Sequence, residues 1–187
     1  MTHRHLALEL TRTIRHDGHS GAADDLDTVA GLNDWVHLRT GWSFTGDEEA
    51  RRRVVELRAA VRALFARAVH PDAPSKADAG LLLDPRVALD RLNAAAAPAV
   101  PQLGWPEDGE PEIRHDIEAD ETTRLVATLA HAAMEFLASD DRAHLKACPA
   151  PRCVRYFVKE HPRQQWCKPS CGNRARVSRY YQRQTRD

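Results

Sequence analysis

Apolar positions recur at helical spacing in several blocks of this chain. Val29, Leu32, Trp35 and Val36 share one face, so a helix is expected behind Asp25 or Asp27 as its cap, ending at Gly41. Thr45-Gly46-Asp47-Glu48 reads as a capping box ahead of the longest helix, 47–69. That helix aligns Val54, Leu57, Val61, Leu64, Phe65 and Ala68. Residues 70–80 read as a loop. Asp84-Pro85 then supplies a cap and a first-turn proline for a short helix through Leu89 and Leu92. Leu125, Val126, Leu129, Ala133, Phe136 and Leu137 mark a further amphipathic helix over 120–138. Between these last two, Glu107-Asp108-Gly109-Glu110 is a turn with strand-like flanks at 103–105 and 112–115. Near the start, Leu6, Leu8 and Leu10 alternate as in a strand, yet Leu6, Leu10, Thr13 and Ile14 fit a helix. Both assignments stay open there.

The pattern changes after Asp141. Val154-Arg155-Tyr156-Phe157-Val158-Lys159 is β-branched and aromatic. It reads as one strand of a hairpin, turning at 161–164 and returning from Gln165-Trp166. Residues 171–184 read as a helix with Asn173 as N-cap and Gly172 easing a tight turn. On it Val177, Tyr180 and Tyr181 share one face, expected to pack, and Arg176, Arg179, Arg183 and Arg186 form a second stripe. The expected fold is therefore mainly α: a helical domain with a small β-hairpin over 1–141, and a small hairpin-and-helix module over 142–187.

Cysteine usage gives that module its chemistry. All four cysteines lie in it, as Cys148-x4-Cys153 and Cys167-x3-Cys171 with thirteen residues between the pairs. Two close pairs can each supply two thiolates to a tetrahedral Zn²⁺, as in a treble-clef or zinc-ribbon-like module. Two disulfides are the competing arrangement and belong to oxidising compartments. The chain opens Met1-Thr2-His3-Arg4-His5-Leu6 without an apolar signal core, so a cytoplasmic location and a metal site are expected. Such a module is too small to fold on its own apolar core, and Trp166 is read as a shield over the metal.

Charge sharpens the picture. The chain carries 27 basic and 27 acidic residues, but residues 142–187 hold 12 of the basic and only two of the acidic ones. A basic module beside an acidic body is the electrostatic footprint of phosphate-backbone binding. A solvated basic face, or a tail docked on its own acidic domain, would look the same. The candidate contacts are Arg155, Lys159, Lys168, Arg174, Arg176, Arg179 and Arg183, with Arg174 equally suited to supporting the zinc loop. Arg51, Arg52 and Arg53 sit among Asp47, Glu48, Glu49 and Glu56, where helical salt pairs account for them.

Nothing marks an enzyme: there is no phosphate loop, nucleophile elbow or HExxH. His131 and Glu135 could share a helix face, and His16 and His19 flank Asp17 in a Gly-rich loop. A structural histidine and an incidental loop explain these more simply. No apolar run is long enough to span a membrane, so no membrane partner is expected.

The string Trp166-Cys167…Cys171-Gly172-Asn173-Arg174-Ala175-Arg176, behind a C-x4-C pair and ahead of a basic helix, resembles the CGNR zinc finger. That finger closes many bacterial proteins whose N-terminal helical domain is called ABATE, described as stress-related transcription regulators. The leucine run at 6–10, Asp25-Leu26 and Leu92-Asn93-Ala94-Ala95 are similar to the ABATE pattern, although Arg12-Thr13 stands where Asn-Thr is usual. The resemblance implies a transcription regulator with DNA as partner, Zn²⁺ at the four cysteines, and a helical part that senses a small molecule or forms a homodimer. A protein-docking module with a purely structural zinc, and an RNA binder stacking bases on Tyr156, Phe157, Tyr180 and Tyr181, remain as alternatives.

Overall fold

The computed structural model describes residues 5–16, 21–78, 80–116 and 119–184; Asp17, His19 and Arg186 lie outside them. Among the described residues, six α-helices and six short strands follow in the order α1 (His5–Arg12), β1 (Ile14–His16), β2 (Ala22–Asp24), α2 (Val29–Thr40), α3 (Glu48–Val69) and α4 (Pro85–Ala96). They continue as β3 (Val100–Gly104), β4 (Glu112–Asp116), α5 (Glu121–Ala138), β5 (Leu145–Ala147), β6 (Tyr156–Val158) and α6 (Pro169–Gln184). The strands form three separate antiparallel pairs: β1 with β2, β3 with β4, and β5 with β6.

Helix α1 settles the first open question. Leu6, Ala7, Leu8 and Leu10 are all buried, while His5, Glu9 and Arg12 share the less buried face, as an amphipathic helix requires. Local chemistry starts most of the helices. Asp84 accepts from the amides of Arg86 and Val87 with Pro85 at the first turn, and Asp120 accepts from Thr123. Gly41 ends α2 at φ 74°, a left-handed conformation that favours glycine. Two caps differ from expectation. Thr28, not Asp25 or Asp27, caps α2 through the amide of Gly31, and Asp47, not Thr45, caps α3 through the amide of Ala50. Asp25 is instead paired with Arg15, and its neighbour Asp24 with Arg58.

Helices α1, α3, α4 and α5 enclose the main core, where Phe65 lies 5.0 Å from Phe136 between ring centroids. The arginines at the start of α3 form the expected surface pairs, Arg51 with Glu48 and Arg52 with Glu49 and Glu56. Two later arginines of α3 break the apolar pattern. Arg58 is buried and donates to both carboxylate oxygens of Asp24 and to Thr13 Oγ1. Burial of Asp24 opposes ionisation, but hydrogen bonds from Arg58 and from the Leu26 amide outweigh it and hold the carboxyl below its usual range.

Arg62, one turn on, is 3% exposed. Its Nε donates to Asp78 Oδ1 at 2.6 Å, Nη1 to the Thr11 carbonyl at 2.7 Å and Nη2 to Ser75 Oγ at 3.0 Å. Tyr156 of β6 completes this network, donating its hydroxyl to Asp78 Oδ2 at 2.6 Å, while Ser75 Oγ donates to the Val154 carbonyl at 2.8 Å. The C-terminal module is thereby stitched to the helical body by a buried polar cluster. Every strong donor in the cluster has an acceptor, which is what allows it to be buried.

Candidate metal centre and nucleic-acid interface

The module is built around β5 and β6, paired as Leu145↔Val158, Lys146↔Phe157 and Ala147↔Tyr156. This corrects the expected hairpin. Strand β6 pairs backwards with residues before Cys148, and the stretch after it turns at His161–Gln164 without a returning strand. The cause is alternation along β6. Tyr156 points into the main core against Phe65, their rings edge to face at 5.6 Å, while Phe157 points to the cysteines. Pairing with β5 buries Leu145 beside Tyr156, which a return from Gln165-Trp166 could not do.

The hairpin loop is the first knuckle. The Cys148 amide continues the ladder by donating to the Arg155 carbonyl at 2.9 Å, and the Cys153 amide closes a turn on the Ala150 carbonyl at 3.1 Å. Arg152 takes a left-handed φ of 61° to make that turn. Lys76 of the body braces the knuckle by donating to the Pro149 and Ala150 carbonyls. The second knuckle is the entry to α6. This helix starts at Pro169, four residues before the expected cap, so Cys171 sits in its first turn and Asn173 is already inside it. The Asn173 side chain accepts from Arg176 and does not cap the helix.

All four cysteine sulfurs lie within 4.8 Å of one another, and none is in a disulfide. Cys153–Cys167, Cys167–Cys171 and Cys171–Cys153 are 3.7, 3.5 and 3.8 Å apart. A tetrahedron with Zn–S bonds of about 2.3 Å has edges of about 3.8 Å, so the four sulfurs fit a zinc ion. Hydrogen bonds from Cys153 and Cys167 draw the Cys148 thiol pKa far down, and those two thiols are pushed up in return. A divalent cation replaces the protons shared among such sulfurs.

The surroundings of the sulfurs are specific. Arg174 Nη2 donates to Cys171 Sγ at 3.4 Å, so this arginine supports the metal ligand. Trp166 packs against the cluster and comes close to Gly172, where an added Cβ would lie 2.9 Å from indole Cδ1. That glycine serves the close approach of an indole, not a turn. Arg179 also lies over the Trp166 ring, with its guanidinium carbon 5.7 Å from the centroid.

The predicted contact residues separate into groups. Arg174, Arg176, Arg179 and Arg183 are brought together on α6, with Lys168 just before it, and all but Arg174 are exposed. Lys159 lines a half-open hollow of about 540 Å³ with Lys76, Lys146 and Trp166, and Arg155 lies just before β6. Val177, Tyr180 and Tyr181 do not pack over the knuckles. They are 55%, 60% and 63% exposed, and the buried face of α6 is Cys171, Gly172 and Ala175. Sequence reasoning missed Arg62, Ser75, Asp78 and Lys76. The available signal was Arg58 and Arg62 at helical spacing beside the apolar stripe of α3, where a charge needs a buried partner.

Two cysteine knuckles closed by the first turn of a basic helix, and stitched to a helical body, define a two-part zinc-finger protein. The model of the ABATE family, described as "Putative stress-induced transcription regulator", matches residues 4–140, and the CGNR zinc finger model matches residues 144–184. The chain belongs to the ABATE family and carries a zinc-binding CGNR finger. Comparison with curated proteins gave no match. Among the described residues, no helix is long and apolar enough to cross a membrane.

Proposed function

We propose that this protein is a bacterial transcription regulator whose zinc finger binds duplex DNA through α6, while the helical body senses a signal or holds a dimer. The observation that carries this reading is the composition of α6 and its surroundings. The helix holds four arginines and no carboxylate, and no salt bridge among the described residues involves any of them. A basic tail docked on its own acidic body would pair these groups. The body instead holds the module through Arg62, Ser75, Asp78 and Lys76, leaving Arg176, Arg179 and Arg183 exposed along one side of α6.

The RNA alternative loses support because Tyr156 and Phe157, two of its four stacking rings, are buried. In the DNA reading, Arg176, Arg179 and Arg183 contact phosphates, with Lys168, Lys159 and Arg155 adding positive potential and Arg174 holding the ligand loop. The function is binding, with no catalytic step. Fluorescence anisotropy of the zinc-loaded protein on duplex DNA, compared with Arg176→Ala/Arg179→Ala/Arg183→Ala, tests it. Loss of binding with zinc content intact supports the reading. Unchanged retention makes the finger a protein-docking module.

A further inference from the structure

The outward face of α6 is apolar and aromatic, which a purely electrostatic DNA clamp does not need. At about 100° per residue, Val177 lies diametrically opposite the buried side of the helix, with Tyr180 and Tyr181 to either side of it. All three are more than half exposed, while Cys171 and Ala175 on the opposite side are buried. The two phenol rings stand edge to face at 5.8 Å, and Gln184 donates to the Tyr180 hydroxyl at 2.8 Å, so the rings hold a defined arrangement on the helix. Arg176, Arg179 and Arg183 run along one flank of the same helix.

We propose that Val177, Tyr180 and Tyr181 are the base-reading surface of the finger, lying in the DNA major groove against thymine methyl groups while the flanking arginines hold phosphates. The proposal rests on the DNA reading above and assigns its sequence dependence to three residues. Charge selects this occupant. A second copy of the chain would bring two arginine rows together, whereas a polyanion with apolar edges matches both the guanidiniums and the rings. Size agrees: an α-helix with side chains is about 10–12 Å across and the major groove about 12 Å wide. The thymine methyl is the apolar feature of that groove. The zinc site and the Trp166–Gly172 contact fix the first turns of α6, which leaves its middle to project.

The test uses full-length, zinc-loaded protein. A randomised duplex library is selected with wild type and with Val177→Ala/Tyr180→Ala/Tyr181→Ala, and the enriched duplex is then compared with its deoxyuridine counterpart by anisotropy. Wild type should enrich a short thymine-containing motif and lose about fourfold affinity per thymine methyl removed, the worth of one buried methyl. The triple variant should keep its zinc, bind random duplex within about threefold of wild type, and enrich nothing, because phosphate contacts carry no sequence information. Wild-type binding without enrichment, or enrichment that survives in the variant, overturns the base-reading proposal and leaves the DNA reading standing. No duplex binding by wild type overturns both. Light scattering that shows a wild-type dimer becoming a monomer in the variant overturns the proposal in favour of a self-association face.

Discussion

Phe65 and Phe157 are both buried, but by different means. Phe65 sits in an apolar core drawn from α1, α3, α4 and α5, with Phe136 and Tyr156 against it. Phe157 sits in a small cluster whose other buried members are Cys148, Ala150, Cys153 and Cys171. Take away the metal, and the second cluster keeps one buried ring, one methyl, the partly exposed Trp166 indole and four sulfurs that compete for protons. The first region stores its stability in side-chain area, and the second stores it in coordination. What joins them is one three-residue strand, because Tyr156 and its neighbour Phe157 face opposite ways. The finger is therefore a folded extension of the body, not a bead on a linker.

The sharpest way to break the comparison is to remove zinc, by chelation or by Cys153→Ser. Structural zinc contributes on the order of 10–16 kcal/mol to modules of this kind. Hydrogen exchange should show residues 148–184 losing protection while α3 and α5 keep theirs. Equal loss in both regions would mean that the body has no core of its own. Next comes Arg62→Ala, which leaves Asp78 buried without its counter-charge and takes a donor from Thr11 and Ser75 in the body and from the Val154 carbonyl in the module. Breaking such a pair costs about 3–5 kcal/mol, to be read as a lower urea midpoint, and protection should fall in both regions together.

Tyr156→Phe is expected to cost less, about 1–3 kcal/mol, since it removes one hydroxyl and leaves one Asp78 oxygen short of a donor. It also predicts a pH effect. Burial first, and then the hydrogen bond to Asp78, raise the Tyr156 pKa above its ordinary value of 10.0. The folded protein thus keeps this proton when the unfolded chain releases it. Stability linked to Tyr156 is complete below pH 10 and falls as pH rises beyond it, and Tyr156→Phe should flatten that alkaline limb in a series of urea melts. The smallest effect is expected for Gly172→Ala. Its Cβ would displace the Trp166 indole, which is partly exposed and can swing, so about 1 kcal/mol of stability and a shift in Trp fluorescence should follow.

The features legible in the sequence are those that local chemistry decides. The cysteine spacing picks out the ligand set, Asp84-Pro85 marks the start of α4, Gly41 ends α2, and Glu107–Glu110 lies between paired strands. Each depends on a few adjacent residues. The errors arose where distant parts of the chain decide. The partner of β6 follows from the demand of the main core for Tyr156, and no pattern within 148–187 reveals that demand. Val177, Tyr180 and Tyr181 have the spacing of a packing face, but α6 turns Cys171 and Ala175 inward because the sulfurs must converge. Asp25 looks like a cap until Arg15, from β1, engages its carboxylate and Thr28 caps α2 in its place. Buried Arg62 contradicts the usual exposure of arginine and is explained only by four groups from three other segments.

The most direct measurement of the central claim, that zinc holds α6 as a DNA-binding helix, is the salt dependence of duplex affinity with zinc content checked on the same sample. Each phosphate neutralised contributes a slope of about −0.9 in log K against log salt. The account predicts salt-sensitive binding of about −3 or steeper for zinc-loaded wild type, a slope shallower by about 2.7 for Arg176→Ala/Arg179→Ala/Arg183→Ala, and no binding after zinc removal. A zinc-loaded protein with a flat slope, or a triple variant with the wild-type slope, would contradict it.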